Sequence, residues 1–309
     1  MSRDPLTHAP RLAILWMVIA SIAFASLGAV VKWTAGQMDI WVVILGRSIV
    51  TAGLAFAWMH ARGLRFAIGN PRWMLLRCTA GFIAMAAYFH AIQMIPLANA
   101  IALQYTAPLF IALLSGVVLR EHVSPRIIPA VIAACAGATC IASPNLDALD
   151  VNALIALLSA FLTAIAYLAI RGLRTSDSPE GIVFWFALFA SLGALPAGAI
   201  ELHSLSAVQW MALAAIGLAG TLGQVGLTRA YHHAPAAFTG AFSYTTVVVG
   251  LAFGWFLFAE RPTSTDWIGV ALIVGSGLYL AREEASLPTP ASASSEISQG
   301  ISDPDSTQP

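Results

Sequence analysis

Charged residues are scarce in this chain. Only 10% of its 309 residues are Asp, Glu, Lys or Arg, and 59% are hydrophobic, whereas about a quarter of a typical soluble domain is charged. Fifteen basic residues balance fifteen acidic ones, so net charge gives no electrostatic reason to expect a nucleic-acid partner. A soluble fold this apolar would lack a polar surface. The composition therefore predicts an all-α integral membrane protein whose surroundings are the lipid bilayer.

Cysteines and catalytic motifs are also few. Cys78, Cys135 and Cys140 lie in apolar runs, and an odd number of such residues is not a disulfide framework. The sequence contains no HExxH, G-x-S-x-G, Walker A or CxxC pattern, and His232-His233 has no companion ligands. We therefore expect no catalytic residues, no metal and no cofactor. A membrane-embedded enzyme or scaffold remains the alternative class.

Long apolar runs are what the chain does contain. A membrane-spanning helix needs about 20 apolar residues, and ten segments approach that length with short, charged connections between them. The predicted spans are Leu12–Val31, Ile40–Met59, Trp73–Met94, Leu97–Leu119, Ile127–Ala142, Val151–Ile170, Gly181–Ile200, Val208–Leu227, Ala236–Ala259 and Trp267–Ala281. Residues 1–11 form a polar N-terminal tail, and residues 285–309, rich in Ser and Pro, are predicted to be a disordered tail.

An internal repeat organises these spans. Ala91-Ile-Gln-Met-Ile-Pro96 recurs as Ala230-Tyr-His-His-Ala-Pro235, at an offset of 139 in the numbering. The same offset relates Gly81 to Gly220, Tyr105-Thr106 to Tyr244-Thr245, Glu121 to Glu260, and Lys32 to Arg171. The copies are residues 12–142 and 151–281. Because five spans are an odd number, the second copy enters the membrane from the opposite face. Such inverted repeats around a central cavity are typical of transporters that work by alternating access.

The repeated motif resembles a known family. It runs from Ala91-x4-Pro96 through Leu103-Gln-Tyr-Thr-Ala-Pro-Leu-Phe110 to Leu119-Arg-Glu121, with a second copy ending in Phe258-Ala-Glu-Arg261. This pattern is similar to that of the EamA-type ten-helix permeases of the drug/metabolite transporter superfamily. The resemblance implies two five-helix halves around a cavity, with helices five and ten at the periphery. Val247 replaces Pro108 in the second copy, so the kink expected in the fourth helix need not recur in the ninth.

Basic residues indicate the orientation. If the N-terminus is cytoplasmic, most of the basic residues in the connections and tails face the cytoplasm. They are Arg3, Arg11, Arg62, Arg65, Arg72, Arg120, Arg126, Arg171, Arg174 and Arg282. Lys32 and Arg261 alone face outwards. Positively charged loops remain cytoplasmic, so we expect a multi-pass protein of the bacterial inner membrane with both termini in the cytoplasm.

Polar residues inside the spans indicate the binding site, because hydrocarbon penalises polar groups without partners. The predicted substrate-binding residues are Arg47, Tyr88, His90, Gln104, Tyr105, Thr106, Tyr167, Gln224, Ser243 and Tyr244. Hydrogen bonding between helices is the alternative role for each hydroxyl. Arg47 either faces the cavity, binding a substrate carboxylate or pairing with Glu260, or snorkels outward. Arg77 and Arg229 are expected to snorkel.

Acidic residues are confined to loops, tails and helix ends. Glu121 and Glu260 lie closest to the membrane and are predicted to form gating ion pairs. A proton relay through a buried carboxylate is therefore disfavoured. We expect exchange or facilitated diffusion of a small amino-acid-like metabolite, zwitterionic or anionic, in the direction of export. The resemblance leaves import of riboflavin or S-adenosylmethionine and export of an amino-acid-derived metallophore open, and the protein is expected to be a monomer or a homodimer.

Overall fold

The computed structural model describes residues 10–118, 127–142, 150–173, 176–233 and 243–286, and within these ranges the chain is helical without strands. The helices are α1 (Pro10–Trp33), α2 (Ile40–Ala61), α3 (Pro71–Met94), α4 (Leu97–Gln104), α5 (Ala107–Val118), α6 (Ile127–Ala142), α7 (Val151–Leu173), α8 (Pro179–Gly198), α9 (Ala207–His233), α10 (Thr245–Phe258) and α11 (Ser264–Ser286), with a 3₁₀ turn at Leu202–Ser204. Pro10 and Arg11, predicted to be part of a tail, belong to α1. The C-terminal tail after Ser286 is outside the described residues.

In the described part of the chain, six helices are long and apolar enough to cross a membrane: α1, α2, α3, α7, α8 and α9. The remaining predicted spans correspond to α4 with α5, α6, α10 and α11. Large apolar side chains such as Ile83, Met211 and Phe256 are more than half exposed on the outside of the bundle, where lipid would cover them. The chain is therefore a multi-pass helical membrane protein.

The fourth predicted span is two helices, α4 and α5, separated by Tyr105 and Thr106. Proline has no N–H group, so Pro108 cannot donate the helical hydrogen bond that the Gln104 carbonyl would accept. Beside this gap, the Thr106 hydroxyl donates to the carbonyl of Leu103, the residue before Gln104, at 2.7 Å. The expected interruption of this helix is present.

A turn also occurs at the equivalent position of the second copy. Tyr244 lies in a turn and α10 begins at Thr245, although Val247 replaces the proline of the first copy. The turn at the tyrosine therefore does not require the proline.

Packing joins the two copies to each other. The most extensive contacts between helices are those of α3 with α7, α1 with α9, α2 with α8, and α6 with α11. Each pair takes one helix from residues 12–142 and one from residues 151–281. The buried core follows the same interface, as shown by Ile44, Leu45, Ile92 and Leu213.

Small residues allow close approach in this interface. Gly217, Gly220, Gly223 and Gly226 face α1 and α2. A Cβ added at Gly217 would lie 2.5 Å from Cβ of Val50. Glycines of this kind let transmembrane helices pack with their backbones close together.

Gly217→Ala is therefore expected to destabilise the bundle. The new methyl group overlaps the stiff Val50 side chain, and such overpacking costs about 1–3 kcal/mol. Gly53→Ala is the matched control, because an added Cβ there has no atom within 4 Å, and alanine favours helix by up to about 1 kcal/mol. Thermal unfolding of both variants in detergent measures the difference. Equal melting temperatures would show that the α2–α9 contact is looser than described.

Candidate functional site

Arg47 is buried in the middle of the bundle. It lies in the second turn of α2 and is 9% exposed, so it does not snorkel. Its Nη1 donates a hydrogen bond to Sδ of Met85, and its guanidinium carbon lies 5.7 Å from the centroid of the Phe89 ring. Its Nε has no hydrogen-bond partner among the described residues. Arg47 therefore keeps an unused donor in the protein interior.

Arg77 is buried as well, and the prediction that it snorkels is wrong. It is 6% exposed, and its guanidinium carbon lies 4.0 Å from the centroid of the Phe186 ring on α8. Its Nη1 occupies the space beside Gly81, one turn further into α3, where an added Cβ would collide with it. The side chain thus extends towards the middle of its helix, because glycine leaves room there. Its Nε also lacks a partner among the described residues.

The two arginines form one electrostatic site. Their charges act on each other, and the Tyr167 hydroxyl on α7 lies within electrostatic range of both. A charge at the centre of a membrane costs at least about 3 kcal/mol, whereas a desolvated cation–π contact returns about 2 kcal/mol. Within the described ranges, neither guanidinium has a carboxylate partner. The site is therefore positively charged and has donors left for an anion.

A polar network joins α4 to α7 and α3. Nε2 of Gln104 donates to Oγ1 of Thr163 at 2.9 Å. The Ser159 hydroxyl lies 2.9 Å from Oε1 of Gln104 and 2.7 Å from the Ala84 carbonyl, and it donates its single proton to either acceptor. Gln104 is thus held in place between helices. Ser159 and Thr163 were not predicted, because hydroxyl residues in a span carry little sequence signal.

The paired tyrosines of the two copies meet each other. The Tyr105 hydroxyl donates to Oγ1 of Thr246 at 2.7 Å, and the Tyr244 hydroxyl donates to the Tyr105 carbonyl at 3.4 Å. Their ring centroids are 5.8 Å apart. The Tyr105 carbonyl lies in the turn between α4 and α5, where helical hydrogen bonding is interrupted. The tyrosines therefore connect the two turns across the repeat interface.

Glu260 pairs with Lys32, not with Arg47. Nζ of Lys32 lies 3.2 Å from Oε1 of Glu260 and also donates to the Ile95 carbonyl. Oε2 of Glu260 accepts the Leu97 backbone N–H at 2.8 Å, at the N-terminus of α4, where the helix dipole favours a negative charge. We call Lys32, Ile95, Leu97 and Glu260 the latch. It connects the end of α1 with the start of α4 and the residues after α10.

The backbone around Ala259 positions the latch carboxylate. Ala259 has a φ of 52°, a left-handed conformation that commonly ends a helix but is usually taken by glycine. The Glu260 N–H then donates to the Gly254 carbonyl at 3.1 Å. The chain turns back on α10 as a result, and the carboxylate faces the start of α4. Nearby, Nδ2 of Asn99 donates to Oδ1 of Asp266 at 2.8 Å, a second link between α4 and the other copy.

The other predicted site residues lie in several places. Nε2 of His90 is 3.2 Å from Oδ1 of Asn152 at the start of α7. Thr106 and Ser243 are buried, and Tyr88 and Gln224 are half-buried. Glu121 is outside the described residues, so its gating role stays a prediction. The predicted set therefore divides into an arginine site with Tyr167, a tyrosine pair, two side chains bonded to a neighbouring helix, His90 and Gln104, and residues at other places in the bundle.

Cavities are present at two other places in the described part of the chain. One of about 170 Å³ lies among α5, α6 and α7 and is lined mainly by apolar side chains. Another of about 120 Å³ adjoins the latch and is lined by residues that include Asn99, Glu260 and Asp266. Neither is lined by Arg47 or Arg77.

Comparison with known proteins agrees with a membrane transporter. The EamA-like transporter family matches the chain twice, at residues 11–143 and 151–281. The pseudopaline exporter CntI of Pseudomonas aeruginosa is 31% identical over 87% of this chain and 95% of its own length. A riboflavin transporter of Vibrio cholerae is 27% identical over 90% and 96%, respectively. An S-adenosylmethionine uptake transporter of Rickettsia felis is 19% identical over 87% and 92%.

A solved crystal structure has the same fold. It aligns with this chain with a TM-score of 0.62 and 20% sequence identity. The alignment covers 93% of this chain and 100% of the chain in that structure. The helical bundle and its repeated sequence thus define a transporter of small molecules in a membrane. The chain belongs to the EamA-like transporter family, within the drug/metabolite transporters that its sequence resembles.

A double-mutant cycle is expected to show coupling in the latch. Lys32→Met leaves the half-buried Glu260 carboxylate without its cation, and Glu260→Gln leaves the Lys32 ammonium without its anion. The double variant should therefore be more stable than the sum of the two single effects predicts. Residues in contact couple by about 0.5–3 kcal/mol, measurable by unfolding in detergent. Lys32→Met combined with Glu180→Gln is the control, since Glu180 lies in the first turn of α8, and these effects should add. Additive effects at Lys32 and Glu260 would contradict the latch.

Proposed function

We propose that this protein is a secondary transporter that exports a small amino-acid-like metabolite carrying an anionic group. The observation that carries the proposal is Arg47, a buried cation with a free donor and no carboxylate partner among the described residues. A guanidinium suits carboxylate groups because its N–H groups bind them in pairs. The relatives named above carry solutes in both directions, and export is the direction that we assign here.

The proposed mechanism is alternating access by two inverted five-helix repeats. The packing supports it: exchanging the copies converts the α1–α9 contact into the α7–α3 contact, and both are among the most extensive in the bundle. Asp39 caps the start of α2, and Ser178, its counterpart in the second copy, caps the start of α8. In this proposal ten spans cross the bacterial inner membrane and both termini are cytoplasmic.

The latch gives this mechanism a gate. With the N-terminus inside, Lys32 and Glu260 lie at the outer end of the bundle and close it there. Under the offset between the copies, Lys32 corresponds to Arg171 and Glu260 to Glu121. We assign Arg171 and Glu121 to the equivalent inner gate, which forms when the outer one opens. Two similar packings of one chain differ little in energy, so a bound solute can shift their populations.

Substrate gradients are the proposed energy source. In the described ranges, the acidic side chains lie in loops or at helix ends, as Asp177, Glu201 and Asp266 do. A carboxylate in the middle of a span is the usual element of a proton relay in a membrane, whereas Asp266, although buried, lies in the first turn of α11. The proposal is therefore exchange or facilitated diffusion.

Reconstitution tests transport itself. Purified protein in liposomes is assayed with labelled amino acids, dicarboxylates, riboflavin and S-adenosylmethionine, loaded inside or added outside. We expect an anionic, amino-acid-like solute to cross faster than in protein-free liposomes. Transport of cationic solutes alone would contradict the proposed substrate class, and a lack of any protein-dependent flux would contradict the transport function.

Arg47→Ala is expected to reduce that flux at least tenfold, because a carboxylate that loses one charge-assisted hydrogen-bonding partner loses at least about 1.5 kcal/mol. The variant should insert and fold normally, as measured by size-exclusion chromatography in detergent. Arg62→Ala is the control: this arginine also stacks on an aromatic ring, that of Trp58 at 4.7 Å, but it is exposed. An unchanged rate in Arg47→Ala would remove Arg47 from the site.

A further inference from the structure

The geometry points to a substrate with two anionic groups, bound by Arg47 and Arg77 together. This inference rests on the transport function proposed above and narrows its substrate from zwitterionic or singly anionic metabolites to dianions. It also adds a binding residue that sequence reasoning assigned to the membrane interface.

The duplication places the two guanidiniums at equivalent half-sites. Arg47 of α2 lies against Gly220 of α9: a Cβ added there would be 3.2 Å from its Nε. Under the offset between the copies, Phe186 is the counterpart of Arg47 and Gly81 is the counterpart of Gly220. These two counterparts also lie against each other, because a Cβ at Gly81 would be 3.0 Å from the Phe186 ring.

The second half-site lacks the arginine of the first, yet it contains a cation. Phe186 occupies the position of Arg47, and the Arg77 guanidinium stacks on its ring. A side chain from α3 thus supplies the positive charge that α8 lacks at this position. Gly81 makes this possible, because only a residue without a Cβ leaves room for Nη1 of Arg77.

The two guanidinium charges are alike in having no neutralising partner among the described residues. Each has an Nε without a partner, and neither forms an ion pair in the described part of the chain. Like charges within range of each other in a medium of low dielectric constant repel strongly. A dianion would neutralise both groups. A single carboxylate would leave one guanidinium unneutralised, and the ammonium group of a zwitterion would be repelled.

The two guanidiniums are displaced from each other along α3, and this displacement indicates how far apart the charges of the ligand lie. Nη1 of Arg47 reaches Met85, and Nη1 of Arg77 reaches Gly81 on the same helix. Four residues of α-helix rise about 6 Å. The anionic groups of the solute are therefore expected to be separated by several bonds, as in an extended dicarboxylate, and not to be the two oxygens of one carboxylate.

A test that does not presuppose the substrate uses liposomes loaded with a small-molecule extract of bacterial cells. Solutes that leave only when the protein is present are identified by mass spectrometry and classified by their number of anionic groups at pH 7. We expect released solutes with two or more. Arg77→Gln and Arg47→Gln should each lower their release at least tenfold, and Arg77→Lys should retain more release than Arg77→Gln because it keeps the charge.

Arg229→Gln is the matched control, because Arg229 also stacks on an aromatic ring, that of Trp16 at 4.6 Å, but is exposed. Solute release by this variant should stay within twofold of release by the wild type. The melting temperature of solute-free Arg77→Gln should equal or exceed that of the wild type, because an uncompensated charge is removed. A fall of melting temperature and release together would show a structural role for Arg77.

Release of solutes with one anionic group or none, or full release by Arg77→Gln, would overturn the inference while leaving transport established. A complete lack of released solutes would instead overturn the proposed function, and this inference with it.

Discussion

Two guanidinium groups lie inside a helical bundle that provides, among its described residues, no carboxylate to neutralise them. In lipid, backbone polar groups are satisfied within the helices, but a buried side-chain charge needs its own compensation. Phe89 and Phe186 supply part of it through their ring faces. The remainder is an energetic cost that the rest of the bundle must offset. Proteins commonly retain such a cost at a functional site, and a solute of opposite charge would remove it.

The helix contacts position this site between the two copies. Arg47 comes from α2 and Arg77 from α3, but each approaches a residue of the second copy, Gly220 and Phe186, respectively. A movement of one copy relative to the other would therefore change the separation of the guanidiniums and their contacts. The latch at Lys32 and Glu260 joins elements of both copies at one end of the bundle. In the proposed mechanism, solute binding and the state of the gate would therefore depend on the same interface.

Much of the fold was predictable, because hydrocarbon imposes one length and one composition on every span. The bounds of α6 agree with the sequence prediction, and those of most other helices differ by a few residues at each end. The break between α4 and α5 could be predicted from Pro108. The turn at Tyr244 could not be predicted in this way, because Val247, unlike proline, has a backbone N–H and does not interrupt a helix. Local sequence reports the missing N–H of a proline, but not a turn that tertiary contacts stabilise.

The site was harder to predict, because burial of a side chain depends on its neighbours. Arg77 lies one turn inside α3, a position from which snorkelling is usual, and its orientation depends on Gly81 in the next turn. The constant offset that relates Gly81 to Gly220 also aligns Arg47 with Phe186, and the sequence prediction did not use this second correspondence. Lys32 was similarly visible as the counterpart of Arg171, but its pairing with Glu260 depends on the turn at Ala259.

In the proposed complex, anionic groups of the solute bind the two buried guanidiniums. A structure of the protein with its transported solute, determined by cryo-electron microscopy, tests it most directly. The account predicts density between α2 and α3, with anionic groups of the solute about 2.7–2.9 Å from nitrogens of Arg47 and Arg77. Density elsewhere, with both guanidiniums still on Phe89 and Phe186 and in contact with no part of the solute, would contradict it.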